Sequence, residues 1–416
     1  MQTHPQTLAQ RSLIIAAASA RSLAQSAVAA GFRVFCVDCF GDEDLRELLE
    51  QSAGTYLGRA ADLDTWPQLL DSVPPEIPLL WAGGLENHLA ALSEVARSRP
   101  LLGLPLNIVR ALRQPEQLAT LFDAARSLRV QFPETRLQEP PATGRWLWKP
   151  AGTSGGLGVQ RLTDDLRLQL ADASSRAAGC FQREIDGLPC SVVVAADGHA
   201  ARIIGLSLQF SGWPELNAAG FRFCGNIGPL EMPPRLVATL GDAVQRLLES
   251  SQIPRGIFGL DFLLTTQLCW LLEINPRIPA SHWIYETPGE WNAVSFLAQE
   301  QPLTAEMHGQ RRLRTQLIVW ARRQLRFPQA ADVLLPSSGV LRIADRPAPN
   351  TMVPAGTPIC SVLAEQPRGF SADDLISAID EFPARLADGL QFQPAAVAAA
   401  LGERLRLWSG LFDSWT

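Results

Sequence analysis

The sequence predicts an α/β and α+β multidomain protein, and three observations carry that prediction. At 416 residues the chain is longer than one ordinary hydrophobic core, so two to four domains are expected. Its first hundred residues alternate strand and helix patterns, which reads as a Rossmann-like unit of parallel strands. Beyond about residue 140 that alternation gives way to neighbouring strands joined by short turns, the pattern of antiparallel sheet.

In the first unit, Leu13–Ala18 reads as a buried strand, Ala20–Ala30 as a helix stopped by Gly31, and Phe32–Val37 as a second strand ending in Asp38. The turn Ala18-Ser19-Ala20-Arg21 lacks the glycines that let a backbone approach a pyrophosphate, so dinucleotide binding is not expected. A strand at Ile77–Trp81, a turn at Gly83-Gly84, a helix near Glu86–Ser98 and a short strand at Pro100–Gly103 bring the unit to a close near residue 105. A helix at Pro115–Leu128 and the Pro/Gly-rich connector 139–144 follow. Strands are then expected at Cys180–Ile185, Ser191–Ala195 and Ala201–Gln209, with a hairpin turn at Asp197-Gly198, and a helix at Pro234–Ser250. From about residue 310 short strands with Pro/Gly punctuation lead to helical signals from Ser371 onward.

Composition narrows the function classes. Hydrophobic residues make up 47% and charged residues 19%, a globular composition rather than a disordered one. The net charge is −6 and no basic run is interleaved with aromatics, so nucleic acid is not an expected partner. No stretch approaches the ~18 apolar residues of a membrane span, so no membrane partner is expected. Residues 11–20 imitate a signal peptide, but their apolar core is short and the following residues continue the same βαβ unit; a cytoplasmic location is expected. The seven cysteines form no framework and read as reduced core thiols. Cys36 and Cys39 have C-x-x-C spacing without the second pair or histidine of a zinc site.

Lys149 is the only lysine among 36 basic residues, and it stands where the apolar strand Trp146-Leu147-Trp148 runs into a loop holding Gly152, Gly155, Gly156 and Gly158. An ammonium is a compact point charge, suited to a phosphate oxygen in a narrow space where the broad guanidinium fork is not. The lysine precedes the glycines and the chain afterwards resumes an extended pattern, unlike a loop that opens a helix. This predicts strand–loop–strand, a lid whose backbone N–H groups fold over phosphates.

The segment 256–277 predicts an antiparallel hairpin around the polar turn Thr265-Thr266-Gln267. A turn centred near Gln267 sets Asp261 opposite Glu273 to within one residue, and the period of two puts Glu273, Asn275 and Arg277 on one face. Two carboxylates in so apolar a setting are costly unless a cation balances them, and an all-oxygen set suits magnesium, with manganese as an alternative. Between lid and hairpin, the extended segment Gln182-Arg183-Glu184-Ile185 offers the backbone and side-chain groups that read an adenine edge.

These three segments, in this order, resemble the ATP-grasp superfamily of carboxylate–amine ligases over roughly residues 105–300, with a Rossmann-like domain ahead. The resemblance implies ATP as cofactor, a phosphate lysine at Lys149, a mobile loop at Gly152, Gly155, Gly156 and Gly158, an adenine hinge at Gln182–Ile185, magnesium ligands Asp261, Glu273 and Asn275, and a catalytic Arg277 beside Lys149. Many members carry a second phosphate lysine; here Arg110 or Arg113 would stand in its place. Residues 18–21, 37–42, 83–87, 224–226 and 344–347 look like a group related to biotin carboxylase that includes tyramine–glutamate ligases. That implies a Rossmann-like pre-ATP-grasp domain at 1–105, an ATP-grasp unit at 106–305 with lobes 106–178 and 179–305, and a C-terminal cap at 306–416. It also implies formation of an amide through an acylphosphate, with release of ADP and phosphate, in building a methanofuran- or methanopterin-type one-carbon carrier. A biotin-carboxylase-like reaction and a nucleotide sensor without turnover are the alternatives. Small-molecule acid and amine substrates are the expected partners, with a homodimer as an allowed assembly. Candidates for substrate contact are Ser19, Arg21 and Glu86, where the first domain faces the cleft, Arg202 and Arg222 for a carboxylate, and His282, which has a capping or core role as its alternative.

Overall fold

The computed structural model describes residues 11–60, 62–170, 179–303, 312–329, 340–366 and 371–416. The first unit is a five-stranded sheet in the order Thr55–Arg59, Arg33–Asp38, Ser12–Ala16, Leu79–Trp81, Leu101–Leu102, with every pair parallel. Ser12–Ala16 sits at its centre with all five residues buried, as a continuous apolar run between two parallel neighbours requires. The strand stops before Ala18 because the chain leaves the ladder to bond Gly83 O, which ties the first turn to the turn after Leu79–Trp81. Helix Arg21–Ala29 covers the sheet, and helix Glu43–Gln51 with strand Thr55–Arg59 extends the unit beyond the expected elements. The single helix expected over 86–98 is two elements, a 3-10 turn at Leu85–Asn87 and a helix at Leu89–Val95. His88, at φ −116° and ψ 49°, interrupts them. The order in which strands are added reverses between Ser12–Ala16 and Leu79–Trp81, where open α/β sheets place ligands. The turns at 17–20 and 82–87 lie at that point.

A smaller sheet follows the order Thr135–Arg136, Gly179–Arg183, Trp146–Pro150, Gln160–Arg161. Trp146, Trp148, Phe181, Leu166 and Leu170 form its own core beneath helix Asp164–Gln169. The largest sheet has nine strands: Leu341–Ala344, Pro358–Glu365, Arg314–Trp320, Phe223–Leu230, Ala201–Ser211, Leu188–Asp197, Arg255–Leu264, Cys269–Asn275 and Val130–Gln131. It runs without a break from the hairpin into the C-terminal third, through pairs such as Asn226 with Gln316. Three strands of the expected cap thus belong to the same sheet as the hairpin. The boundaries placed at 178 and 305 lie outside the described residues. Helix Pro234–Ser251 buries Leu236, Leu240, Val244, Leu247 and Leu248, a stripe at helical spacing, in the core that also takes strand Ala201–Ser211. At the C-terminal end helix Pro394–Phe412 leads to Trp415, whose indole donates to Thr265 O and braces the hairpin turn.

Candidate active site

The hairpin is built by Arg255–Leu264 and Cys269–Asn275, and the residue opposite Asp261 is Glu273. Gly259 stands opposite Asn275, so all three side chains leave the same face. Like charges directly opposite in a ladder repel. Asp261 Oδ1 accepts from Ser191 Oγ (2.7 Å) and Gln209 Nε2 (2.9 Å), and its Oδ2 accepts from Asn275 Nδ2 (2.9 Å). Those bonds favour the carboxylate, yet burial, reinforced by the facing Glu273, holds the Asp261 carboxyl above its ordinary range. Glu273 has no hydrogen-bond or ion-pair partner among the described residues. Asp261 and Glu273, with the Asn275 amide oxygen, form an all-oxygen set of two facing carboxylates that the nearby Arg277 guanidinium offsets only in part. That chemistry fits a hard divalent cation sharing its remaining positions with phosphate oxygens.

Above the hairpin stands the expected strand–loop–strand: Trp146–Pro150 pairs antiparallel with Gln160–Arg161. Lys149 sits on the strand facing Cys180 and has no hydrogen-bond or ion-pair partner among the described residues. The loop is docked rather than splayed, since Phe223 N donates to Gly155 O at 2.8 Å. Only glycine fits at Gly156: its φ is +71°, and a Cβ there would overlap the Phe221 carbonyl. Strand Gly179–Arg183 carries Gln182, whose amide donates to Thr135 Oγ1 at 3.3 Å. The amides of Arg183 and Glu184 are taken by Glu134 O and Arg145 O, and the Glu184 carboxylate pairs with Arg161 (2.9 Å). Of the hinge amides beyond the strand, that of Ile185 has no partner among the described residues. Lid, hinge and hairpin line one cleft of about 1630 Å³.

Residues 119–281 match a family described as the ATP-grasp domain, and this stretch holds lysine, lid, hinge and hairpin. The chain carries an ATP-grasp domain. No curated protein matches the sequence. Among solved structures, the biotin carboxylase domain of the Hydrogenobacter thermophilus 2-oxoglutarate carboxylase, crystallised with MgADP, ADP and bicarbonate, is similar at a TM-score of 0.69 and 13% identity. The match covers 95% of this chain and 98% of that one. N5-carboxyaminoimidazole ribonucleotide synthetase from Thermus thermophilus is similar at 0.64 and 14% identity, covering 91% and 98%. L-amino acid ligase from Bacillus licheniformis is similar at 0.63 and 15% identity, covering 91% and 97%.

The ATP-grasp cleft gathers most of the residues singled out in the sequence. Lys149, Gly152, Gly155, Gly156, Gln182, Arg183, Glu184, Ile185, Asp261, Glu273, Asn275 and Arg277 line it; Gly158 is in the lid but not on that surface. Of the two arginines weighed for the second phosphate contact, Arg113 lines the cleft and Arg110 does not. Among the substrate candidates only Glu86 does. Its side chain is fully buried, and its Oε1 accepts from Arg277 Nε (2.8 Å) and Ser154 Oγ (2.8 Å). Burial alone would raise the Glu86 carboxyl, but the Arg277 guanidinium and these two bonds outweigh it and hold the group below its ordinary value. Arg21 is buried elsewhere, against Asp345 (2.7 Å) and Asp44 (3.5 Å), and Ser19 donates to the same Asp345 at 3.4 Å. Arg202 reaches towards Leu303 O, and Arg222 donates to Gly356 O and lies over the Trp320 ring. His282 is buried with Nδ1 against Pro279 O at 3.0 Å. Single-residue chemistry had no means of finding Ser154, Asn87, Ser191 and Gln209, which are polar residues on a turn, a loop or a strand that matter only through what they face.

Proposed function

We propose that this protein is an ATP-dependent ligase that joins a carboxylate to an amine through an acylphosphate, releasing ADP and phosphate. The observation that carries the reading is the juxtaposition, in one cleft, of an unpartnered Lys149, a glycine lid and the Asp261/Glu273/Asn275 oxygen set. Lys149 would take phosphate oxygens, with the lid amides folded over the chain, and Gln182–Ile185 would take the base. Asp261, Glu273 and Asn275 would hold magnesium, which would supply charge neutralisation for phosphate oxygens. A carboxylate oxygen then attacks the γ-phosphorus and the bond to the β-phosphate oxygen breaks, giving the acylphosphate and ADP. The amine nitrogen attacks the acyl carbon, phosphate leaves and the nitrogen loses a proton. Little covalent chemistry falls to the protein; Arg277 and Lys149 stabilise charge where it develops.

Similarity to structures that include a biotin carboxylase domain and an L-amino acid ligase supports ATP-driven activation of a carboxylate and leaves the acid to be named. The subgroup resemblance points to glutamate and a tyramine-like amine, in building a methanofuran- or methanopterin-type carrier. The test is to separate nucleotide products after incubation with MgATP and glutamate plus tyramine, other acid–amine pairs, or bicarbonate, with hydroxylamine added to trap the activated acid. ADP formed only when an acid and an amine are both present, with a hydroxamate in the trap, is the expected result. AMP as product overturns the acylphosphate. ADP formed without any acid favours the sensor reading, and dependence on bicarbonate alone favours the carboxylase reading.

A further inference from the structure

The turn at Gly83–Asn87 does more than close the first domain. It lies at the strand-order reversal of the parallel sheet, and from there it reaches both the lid and the catalytic arginine. Glu86 Oε1 holds Ser154 Oγ and Arg277 Nε at 2.8 Å each. Ser154 Oγ also accepts from Asn87 Nδ2 (2.9 Å), so both adjacent side chains of the turn hold one lid hydroxyl. Arg113 completes the fastening, its guanidinium donating to Asn87 Oδ1 (2.5 Å) and to the lid carbonyl of Thr153 (2.9 Å). Among the described residues Glu86 Oε2 is buried without a hydrogen-bond partner, so the side chains that anchor this carboxylate are Arg277 and Ser154. A serine has a single hydroxyl proton; given to Glu86, it makes a charge-assisted bond, stronger than the neutral bond that holds Gly155 O.

Resting on the ligase reading, we propose that Glu86 is a positioning residue that couples the lid to Arg277: one carboxylate oxygen is both the catch for Ser154 and the anchor of the guanidinium. Lid closure over the phosphates and alignment of Arg277 are then one event, driven from the first domain rather than from within the nucleotide-binding lobes. Glu86 touches no reacting atom in this arrangement. It acts through Ser154 on nucleotide retention and through Arg277 on the chemical step.

The two connections are separable in measurement. Ser154→Ala removes only the catch, and the expected result is about a tenfold weaker MgATP affinity, as loss of a hydrogen bond to a charged group implies, with kcat for ADP formation near wild type. Ser154→Thr, which keeps the hydroxyl, should restore affinity. Glu86→Gln should raise KM for ATP and also lower kcat, because Arg277 loses its countercharge. The double variant should lose less than the product of the single losses. Merely structural roles would lower the active fraction alone and leave KM in place. Hydrogen exchange without nucleotide reads the latch independently: Ser154→Ala and Glu86→Gln should each speed exchange of the amides at 155–159. Unchanged exchange, or wild-type affinity in Ser154→Ala, overturns the proposal. Faster exchange in a protein whose wild type binds no MgATP would instead sink the ligase reading and leave the latch standing.

Discussion

Among the described residues two buried arginine–carboxylate junctions join the first domain to the rest of the molecule, and they resemble each other in parts and differ in setting. At one, Arg277 is ion-paired with Glu86 and also feels the Asp261 and Glu273 carboxylates, and all four residues line the cleft. At the other, Arg21 faces Asp345 and Asp44, with buried Asp38 and Asp42 close by, and none of these residues lines the cleft. The carboxyls at the two junctions are held differently. Glu86 is held below its ordinary value, because the adjacent Arg277 guanidinium and the bonds from Arg277 and Ser154 outweigh burial. Around Arg21 four carboxylates gather, and against burial Arg21 holds Asp345 low. Burial followed by the Asp345, Asp38 and Asp44 carboxylates pushes Asp42 up to about 8. Open to the cleft, the Glu86 junction serves the site. The Arg21 junction is overcharged and closed, and it clamps the turn after Ser12–Ala16 to the segment following strand Leu341–Ala344.

Cutting the same bond in both places breaks the comparison most severely. Arg277→Leu and Arg21→Leu each strip a buried carboxylate of its cation, and each should cost about 3–5 kcal/mol in denaturant unfolding. Only Arg277→Leu should abolish turnover in the folded fraction; equal loss of activity in both variants would erase the distinction. Next in size is Lys149→Arg, which keeps the charge but not the compact geometry. It should lose at least ~10-fold in ATP turnover with an unchanged unfolding midpoint, and wild-type turnover would remove the phosphate role.

Asp42 sharpens the comparison through pH. A carboxyl raised in the fold binds its proton there while the unfolded chain has released it, so stability falls as pH rises from about 4 to about 8 and is flat above. Asp42→Asn should therefore stabilise by about 1–3 kcal/mol at pH 9 and by nothing near pH 4, read by unfolding at both pH values. A pH-independent difference would contradict the overcharged junction. The smallest effect belongs to Arg202→Ala and Arg222→Ala, which lie off the cleft: MgATP affinity should stay within twofold, with Arg222→Ala losing about 0.5–1 kcal/mol from its stacking on Trp320. A larger affinity loss would extend the site towards the C-terminal third.

How far the sequence was legible depended on how local each signal was. The Asp261–Glu273 pairing could be read because a hairpin with a short polar turn leaves little freedom of register. The strand–loop–strand around Lys149 was legible for a related reason, since four glycines within seven residues interrupt two extended runs. Where contacts cross hundreds of positions the reading missed. Ser19 and Arg21 were expected where the first domain faces the cleft, but Asp345, 324 residues further on from Arg21, draws the guanidinium away. Within the C-terminal cap expected at 306–416, the pairing of three strands with the hairpin's own sheet was likewise beyond local signals.

By itself, then, the sequence determined the local chemistry: which residues form the parallel unit, that a lone lysine meets a glycine loop, and that two carboxylates and an amide share one hairpin face. Those features follow from periodicities of 2 and 3.6 and from the conformational demands of glycine, all of which act over a few residues. Tertiary structure alone decided which arginine serves the cleft, that Glu86 faces Arg277 and Ser154 together, and that Arg113 rather than Arg110 lines the site. A buried charge must find its partner wherever the packed chain brings one, and that choice is made in three dimensions.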